Sequence, residues 1–249
     1  MAAALVEAGC DVCITGHDPA RLREAEDRLR AGAGGSNGCI RAELLDVRSE
    51  EAIDVTVRRL IDDWGRIDVL MNNAGIGMRT VNPLFSIEPK PFWTVPPSGF
   101  RTVMETNVIG YFLMARAVVP HMVTRGFGKV VNVTINRSTM TRRGFVPYGP
   151  SRAASEAFSE IMTHDLAESA VSVNLLLPGG GTLTGMIPEE VRPRLAQDLL
   201  GPEIMGPPAV WLVSRESDGI TGERITASTF EAYLSRWREE KGGSVSRDA

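Results

Sequence analysis

The chain has 249 residues, 43% of them hydrophobic, and a formal charge of -4 from 27 basic and 31 acidic side chains. That length allows one substantial core, and the interspersed charges leave no basic run able to track a phosphate backbone, which excludes a nucleic-acid partner. No apolar run approaches the ~18 residues of a membrane span, and the opening MAAALVEAGC lacks a basic leader region, so no membrane association is expected and a cytoplasmic protein is.

Good helix formers at 2–8 are closed by Gly9, which predicts a helix end with no start signal before it. Short apolar runs then alternate with amphipathic helices, the pattern of a parallel α/β sheet covered on both faces. The predicted order is a strand at 11–15, a helix at 19–30, a strand at 40–46, a helix at 50–64 and a buried strand within 67–75. In the 50–64 helix Ile53, Val57, Leu60, Ile61 and Trp64 share one face. The AGAGGSNG stretch at 31–38 follows a helix and precedes a strand, so it is a turn and not a phosphate loop.

Residues 76–97 contain five prolines together with Phe92 and Trp93. They read as a long loop, either a substrate wall or a surface excursion packed on a partner subunit. A strongly patterned helix covers 100–123, with Asn107 inside its apolar stripe; a buried carboxamide must find hydrogen-bond partners. A strand at 129–134, a helix at 150–170 and a strand at 171–178 follow. After a glycine-rich loop come a short helix at 188–200, another at 207–214 and a last strand at 223–226. One domain is expected over 1–240, with a disordered tail over 241–249.

Cys10 and Cys13 form a C-x-x-C pair, but at a helix C-terminus running into a strand, with no second ligand pair. No metal or redox site is therefore expected.

Four motifs stand in order: Asn72-Asn73-Ala74-Gly75, Asn107, Tyr148-Gly149-Pro150-Ser151-Arg152, and Val173-Asn174 leading to Pro178-Gly179 with Thr182 and Thr184. Together, over roughly 2–226, they resemble the short-chain dehydrogenase/reductase family. The resemblance implies a Rossmann-like doubly wound α/β fold and hydride transfer between NAD(P) and a small carbonyl or alcohol substrate. In that comparison the first strand and its glycine-rich turn are missing. The strands at 11–15 and 67–72 would then either pair directly or stand apart, and pyrophosphate would lack its helix N-terminus.

The family's chemistry assigns Tyr148 as general acid/base and Asn107 as the asparagine of the proton path. A phenol titrates near ~10, so its use at neutral pH requires its anion to be stabilised by ~4 kcal/mol, the task of a lysine one helical turn later. Arg152 stands at that lysine position and keeps the charge with a rigid fork in place of an ammonium. Ile135 and Asn136 stand where the family carries a serine, which leaves the Asn136 amide as a weaker donor to the reacting oxygen.

For the cofactor, the resemblance implies His17, Asp46 and Val47 at the adenosine, and Asn73, Ala74 and Gly75 along the ribose wall. Tyr148, Arg152, Pro178, Gly179 and Thr184 fall at the nicotinamide, Thr184 alternatively serving only as a helix cap. Gly16 replaces the acid of NAD-preferring members and His17 the arginine of NADP-preferring ones, so the cofactor is NADP or NAD with NADP favoured. A homodimer or homotetramer would form through the helices at 100–123 and 150–170. The alternative is a catalytically inactive member acting as a binding or oligomerisation module, for which the two departures at the serine and lysine positions argue.

Overall fold

The computed structural model describes residues 1–34, 38–195 and 197–245. It begins with α1 (Ala2–Glu7), β1 (Val12–Gly16), α2 (Pro19–Gly32), β2 (Ile40–Leu44), α3 (Glu50–Trp64) and β3 (Val69–Asn72). The central part comprises α4 (Pro97–Met104), a π-helical turn at Glu105–Ile109, α5 (Gly110–Arg125), β4 (Gly128–Val133), α6 (Arg137–Met140), α7 (Tyr148–Asp165) and β5 (Val171–Leu177). Then come α8 (Arg192–Leu195), α9 (Gly206–Val213), β6 (Arg224–Thr226) and α10 (Phe230–Val245). Local chemistry sets the boundaries. Asp18 accepts the Ala20 and Arg21 amides at the start of α2, Ser49 caps α3, and Gly65 ends α3 at φ 71°.

All described strand pairs are parallel, in two sheets: β1 with β2, and β3-β4-β5-β6. Among the described residues no ladder joins β1 to β3, so the separated arrangement is the one found.

Alternate residues of β4 face opposite layers. Val130 packs with Ile53 and Val57 of α3, Val118 and Met122 of α5 and Met162 of α7, whereas Val131 packs with Ala209 and Leu212 of α9 and Leu234 of α10. A third cluster gathers Leu5 and Val6 of α1 with Val12 and Ile40 of β1 and β2. Met71 of β3 packs against both of these last two clusters, so side chains rather than a ladder couple the two sheets. Each buried aliphatic contributes about 1.5–3 kcal/mol.

Two elements differ from the sequence reading. Among the described residues of the 188–200 stretch helix covers only Arg192–Leu195, and Leu200 instead exchanges backbone hydrogen bonds with Gly181 and Leu183 in an extended bridge. Residues 241–245, expected in a disordered tail, instead continue α10, with the Lys241 ammonium 4.6 Å from the Trp237 ring centroid; residues 246–249 lie outside the described residues. Phe230, Tyr233 and Trp237 of α10 surround Trp211. No helix of the described residues is long and apolar enough to cross a membrane.

Candidate active site

The C-terminal ends of the strands open onto a cleft of about 1130 Å³, lined among others by Asn73, Ile135, Asn136, Tyr148, Arg152, Pro178 and Thr184. A smaller pocket of about 200 Å³ lies beside it, walled by His17, Asp46, Val47, Arg48 and Thr106. Ala74, Gly75 and Ile76 line both, so the two spaces meet at the turn after β3.

That turn is held by Asn107. Its Oδ1 accepts the Ile76 amide at 2.9 Å, and its Nδ2 donates to the Ile76 carbonyl at 2.9 Å and to Ser151 Oγ at 3.0 Å. Asn107 is fully buried, and its own carbonyl accepts Ser155 Oγ at 2.8 Å. The π-helical turn gives this asparagine a wider ring than an α-helix, a device common at functional sites. Ser151 Oγ in turn donates to the Tyr148 carbonyl at 2.8 Å, which fixes the first turn of α7.

α7 therefore carries two working faces. Ser151, Ser155 and Ser159 turn inward at four-residue spacing, and Ser159 Oγ accepts Asn132 Nδ2, whose own oxygen accepts Asn72 Nδ2. Tyr148 and Arg152 occupy the cleft face. Arg152 is 2% exposed, and its guanidinium carbon lies 5.4 Å from the Tyr148 ring centroid and 5.5 Å from that of Tyr111. Its Nη1 donates to Tyr111 Oη at 2.8 Å and to the Val133 carbonyl at 3.0 Å, while its buried Nε has no partner among the described residues.

Burial alone would depress the Arg152 guanidinium, but the Tyr111 and Tyr148 oxygens more than offset it and hold it above the ordinary range. Burial raises the Tyr111 phenol, and the adjacent guanidinium opposes that only in part. A Cβ on Gly75 would collide with Arg152 Nη2, so a larger residue there would force the guanidinium to shift.

The remaining predicted residues are placed as follows. Asp46 is engaged by Arg48 through paired hydrogen bonds, chiefly for which its carboxyl lies below the usual range. Asn136 Nδ2 donates to the Gly179 carbonyl at 2.9 Å, and Thr184 Oγ1 accepts the Met186 amide at 3.4 Å, forming a turn and not a helix cap. Thr134, the nearest hydroxyl before Ile135, donates to Glu156 at 2.7 Å. Sequence reasoning missed Tyr111, whose phenol sits in an apolar helical stripe, and the serine spacing on α7, which the four-residue repeat would have disclosed.

Cys10, Cys13 and Cys39 are free, and burial followed by the nearby Glu43 pushes Cys13 up to about 11, an inert thiol at neutral pH. No group of three or more metal-ligating side chains gathers among the described residues.

Comparison with known proteins identifies the family. The model of the short chain dehydrogenase family matches residues 1–194. The 7alpha-hydroxysteroid dehydrogenase of Escherichia coli (strain K12) is 26% identical over 230 residues, covering 89% of this chain and 84% of that protein. The acetoacetyl-CoA reductase of Shinella zoogloeoides is 30% identical over 197 residues, covering 76% and 78%. A solved 7alpha-hydroxysteroid dehydrogenase complexed with NADH and 7-oxo glycochenodeoxycholic acid superposes with a TM-score of 0.75 at 25% identity, covering 90% of this chain and 86% of its own. The family match extends from α1 through α7 and β5, which carry most of the lining of both pockets, and the chain belongs to the short-chain dehydrogenase/reductase family of oxidoreductases.

Proposed function

We propose that the chain binds NAD(P)(H) across the two joined pockets and interconverts a small carbonyl compound and its alcohol, with turnover lowered by Arg152 and Ile135. The observation that carries this reading is the shared wall Ala74–Ile76, which makes one elongated site ending at Tyr148 and Arg152. His17, Asp46 and Val47 would hold the adenosine half of a dinucleotide, Asn73 to Gly75 the ribose, and Tyr148, Arg152, Pro178, Gly179 and Thr184 the nicotinamide half, whereas among the described residues lining the two pockets no glycine-rich turn opens a helix to receive the pyrophosphate. The orphaned Arg152 Nε is a further donor in that region. Gly16, at the position of the acid of NAD-preferring members, and His17, at that of the arginine of NADP-preferring ones, both line the smaller pocket and favour NADP.

When bound, the dinucleotide supplies or accepts the hydride. Tyr148 gives its phenolic proton to the carbonyl oxygen, or takes it from the alcohol, and Arg152 holds positive charge beside the ring as the phenolate develops. Asn107 and Ser151 keep the first turn of α7 and the 73–76 turn in register. Ile135 offers no hydroxyl to the reacting oxygen, and the Asn136 amide is engaged by Gly179. Loss of one pre-organised donor costs about 10²–10³-fold in rate.

The second reading, an inactive binding or oligomerisation module, is favoured by the same commitment of Arg152 Nη1 to Tyr111 and Val133. Ile109, Phe112 and Ile161 are exposed on the π turn, α5 and α7, and we assign that face to a homodimer or homotetramer. Titration of NADPH and NADH by tryptophan fluorescence decides between the readings. Binding in the micromolar range, tighter for NADPH, supports the oxidoreductase; a folded chain that binds neither at millimolar concentration overturns it.

A further inference from the structure

Arg142 lies in the segment between α6 and α7, on the cleft wall. Its guanidinium stacks on Phe145 at 5.1 Å from the ring centroid, and Phe145 is 6% exposed and set edge-on to Phe85 at 5.5 Å. The segment is seated firmly. The Arg142 amide donates to the Thr139 carbonyl, the Phe145 amide donates to the Arg142 carbonyl, and Gly144 stands at φ 78° with its Cβ direction blocked by Pro89. Among the described residues the Arg142 guanidinium has no hydrogen-bond or carboxylate partner.

The surroundings share that sign. The cleft lining includes Arg21, Arg79, Arg142 and Arg152 against Asp198 alone among the acids, in a chain whose overall charge is -4. Arg79 Nη1 donates to the Gly185 carbonyl at 2.6 Å, which ties the turn after β3 to the loop after β5. Ser86, on the same wall as Phe85, has a buried hydroxyl with no partner. An exposed guanidinium stacked on Phe145, a spare hydroxyl and two edge-on rings line one cleft. Such a set suits a ligand with an apolar body and an anionic end. None of these residues lines the smaller pocket beside His17 and Asp46.

We propose that the substrate carries an anionic group, a carboxylate in the simplest case, which docks on Arg142 while its apolar part lies against Phe85 and Phe145. This rests on the oxidoreductase reading for the meaning of "substrate", though not for the binding site itself.

The test uses a series of ω-aryl-ω-oxo carboxylic acids, from 3-benzoylpropionate upward by single methylenes, each paired with its methyl ester. Binding is measured by calorimetry with and without NADP⁺. At least one acid should bind about tenfold or more tightly than its ester. Arg142→Gln should abolish that preference, lowering acid affinity far more than ester affinity, and Arg142→Lys should retain part of it. Equal affinity for acid and ester throughout the series, or a preference that survives Arg142→Gln, overturns the proposal. NADPH titration of the same samples separates the two readings. Dinucleotide binding without acid preference removes only the anionic subsite, whereas acid preference without dinucleotide binding keeps the subsite and removes the oxidoreductase.

Discussion

Arg152 shows how one substitution is absorbed by its neighbours. A guanidinium at the position where the family resemblance implied a lysine is longer and carries five donors, and here it reaches Tyr111 and the Val133 carbonyl. Tyr111 is 1% exposed, and its phenol also donates to Val133 at 3.2 Å, so the three groups form a closed polar knot in an apolar layer. Tyr111→Phe removes the acceptor without creating a cavity and leaves Arg152 Nη1 with one partner. The expected cost is about 1–3 kcal/mol, read as a lowered urea midpoint with unchanged slope. A loss near zero would mean that the guanidinium is equally well satisfied without Tyr111. The charge at 152 was legible in the sequence because it follows Tyr148 by one helical turn. Tyr111 was not, since a lone phenol in an apolar stripe has the same spacing as any core aromatic.

At the scale of elements, the sequence placed a continuous helix over 100–123, and the chain does run helical from Pro97 to Arg125. What periodicity could not disclose is the π-helical turn at Glu105–Ile109, since one added residue per turn barely disturbs an apolar stripe. That turn makes Asn107 a hub for the 73–76 turn, Ser151 and Ser155. Asn107→Ala orphans the Ile76 amide and carbonyl in a half-buried setting, at about 1–3 kcal/mol for each buried group left unpaired. We expect a clear drop in thermal midpoint, together with weaker NADPH binding, because Gly75 and Ile76 line both pockets. Asn107→Asp keeps the acceptor for Ile76 and should recover only part of the loss. Wild-type stability in Asn107→Ala would show that the 73–76 turn is held by other contacts. The short helix expected at 188–200 was misread for a related reason: its apolar spacing is compatible with helix, but the bridge of Leu200 to Gly181 and Leu183 is a long-range pairing that no local pattern signals.

Across the whole molecule, the absence of a ladder between β1 and β3 among the described residues divides the sheet into two units of unequal size. Four strands share backbone hydrogen bonds with their neighbours in one unit, and only β1 and β2 do so in the other. A two-stranded pair is marginal without packing support, so the stability of β1 and β2 depends on α1, α2 and the side chains that cross from the larger unit. Met71 crosses between the two units, in contact with the cluster of Leu5, Val6, Val12 and Ile40 on one side and with that of Val131 and Leu176 on the other, as does α9, whose Val210 and Val213 pack on the first cluster while Ala209 and Leu212 belong to the second. Met71→Ala should therefore loosen the smaller unit first. By hydrogen exchange, the amides of Val12–Gly16 and Ile40–Leu44 are expected to speed up by about tenfold or more, with those of β4 and β5 changed much less. Because the smaller pocket is built from both units, Thr15 to His17 on one side and Ala74 to Ile76 on the other, saturating NADPH should slow exchange in β1 in proportion to its binding. Uniform acceleration across all six strands in Met71→Ala would show that the two sheets unfold as one, and that packing alone couples them as tightly as a ladder would.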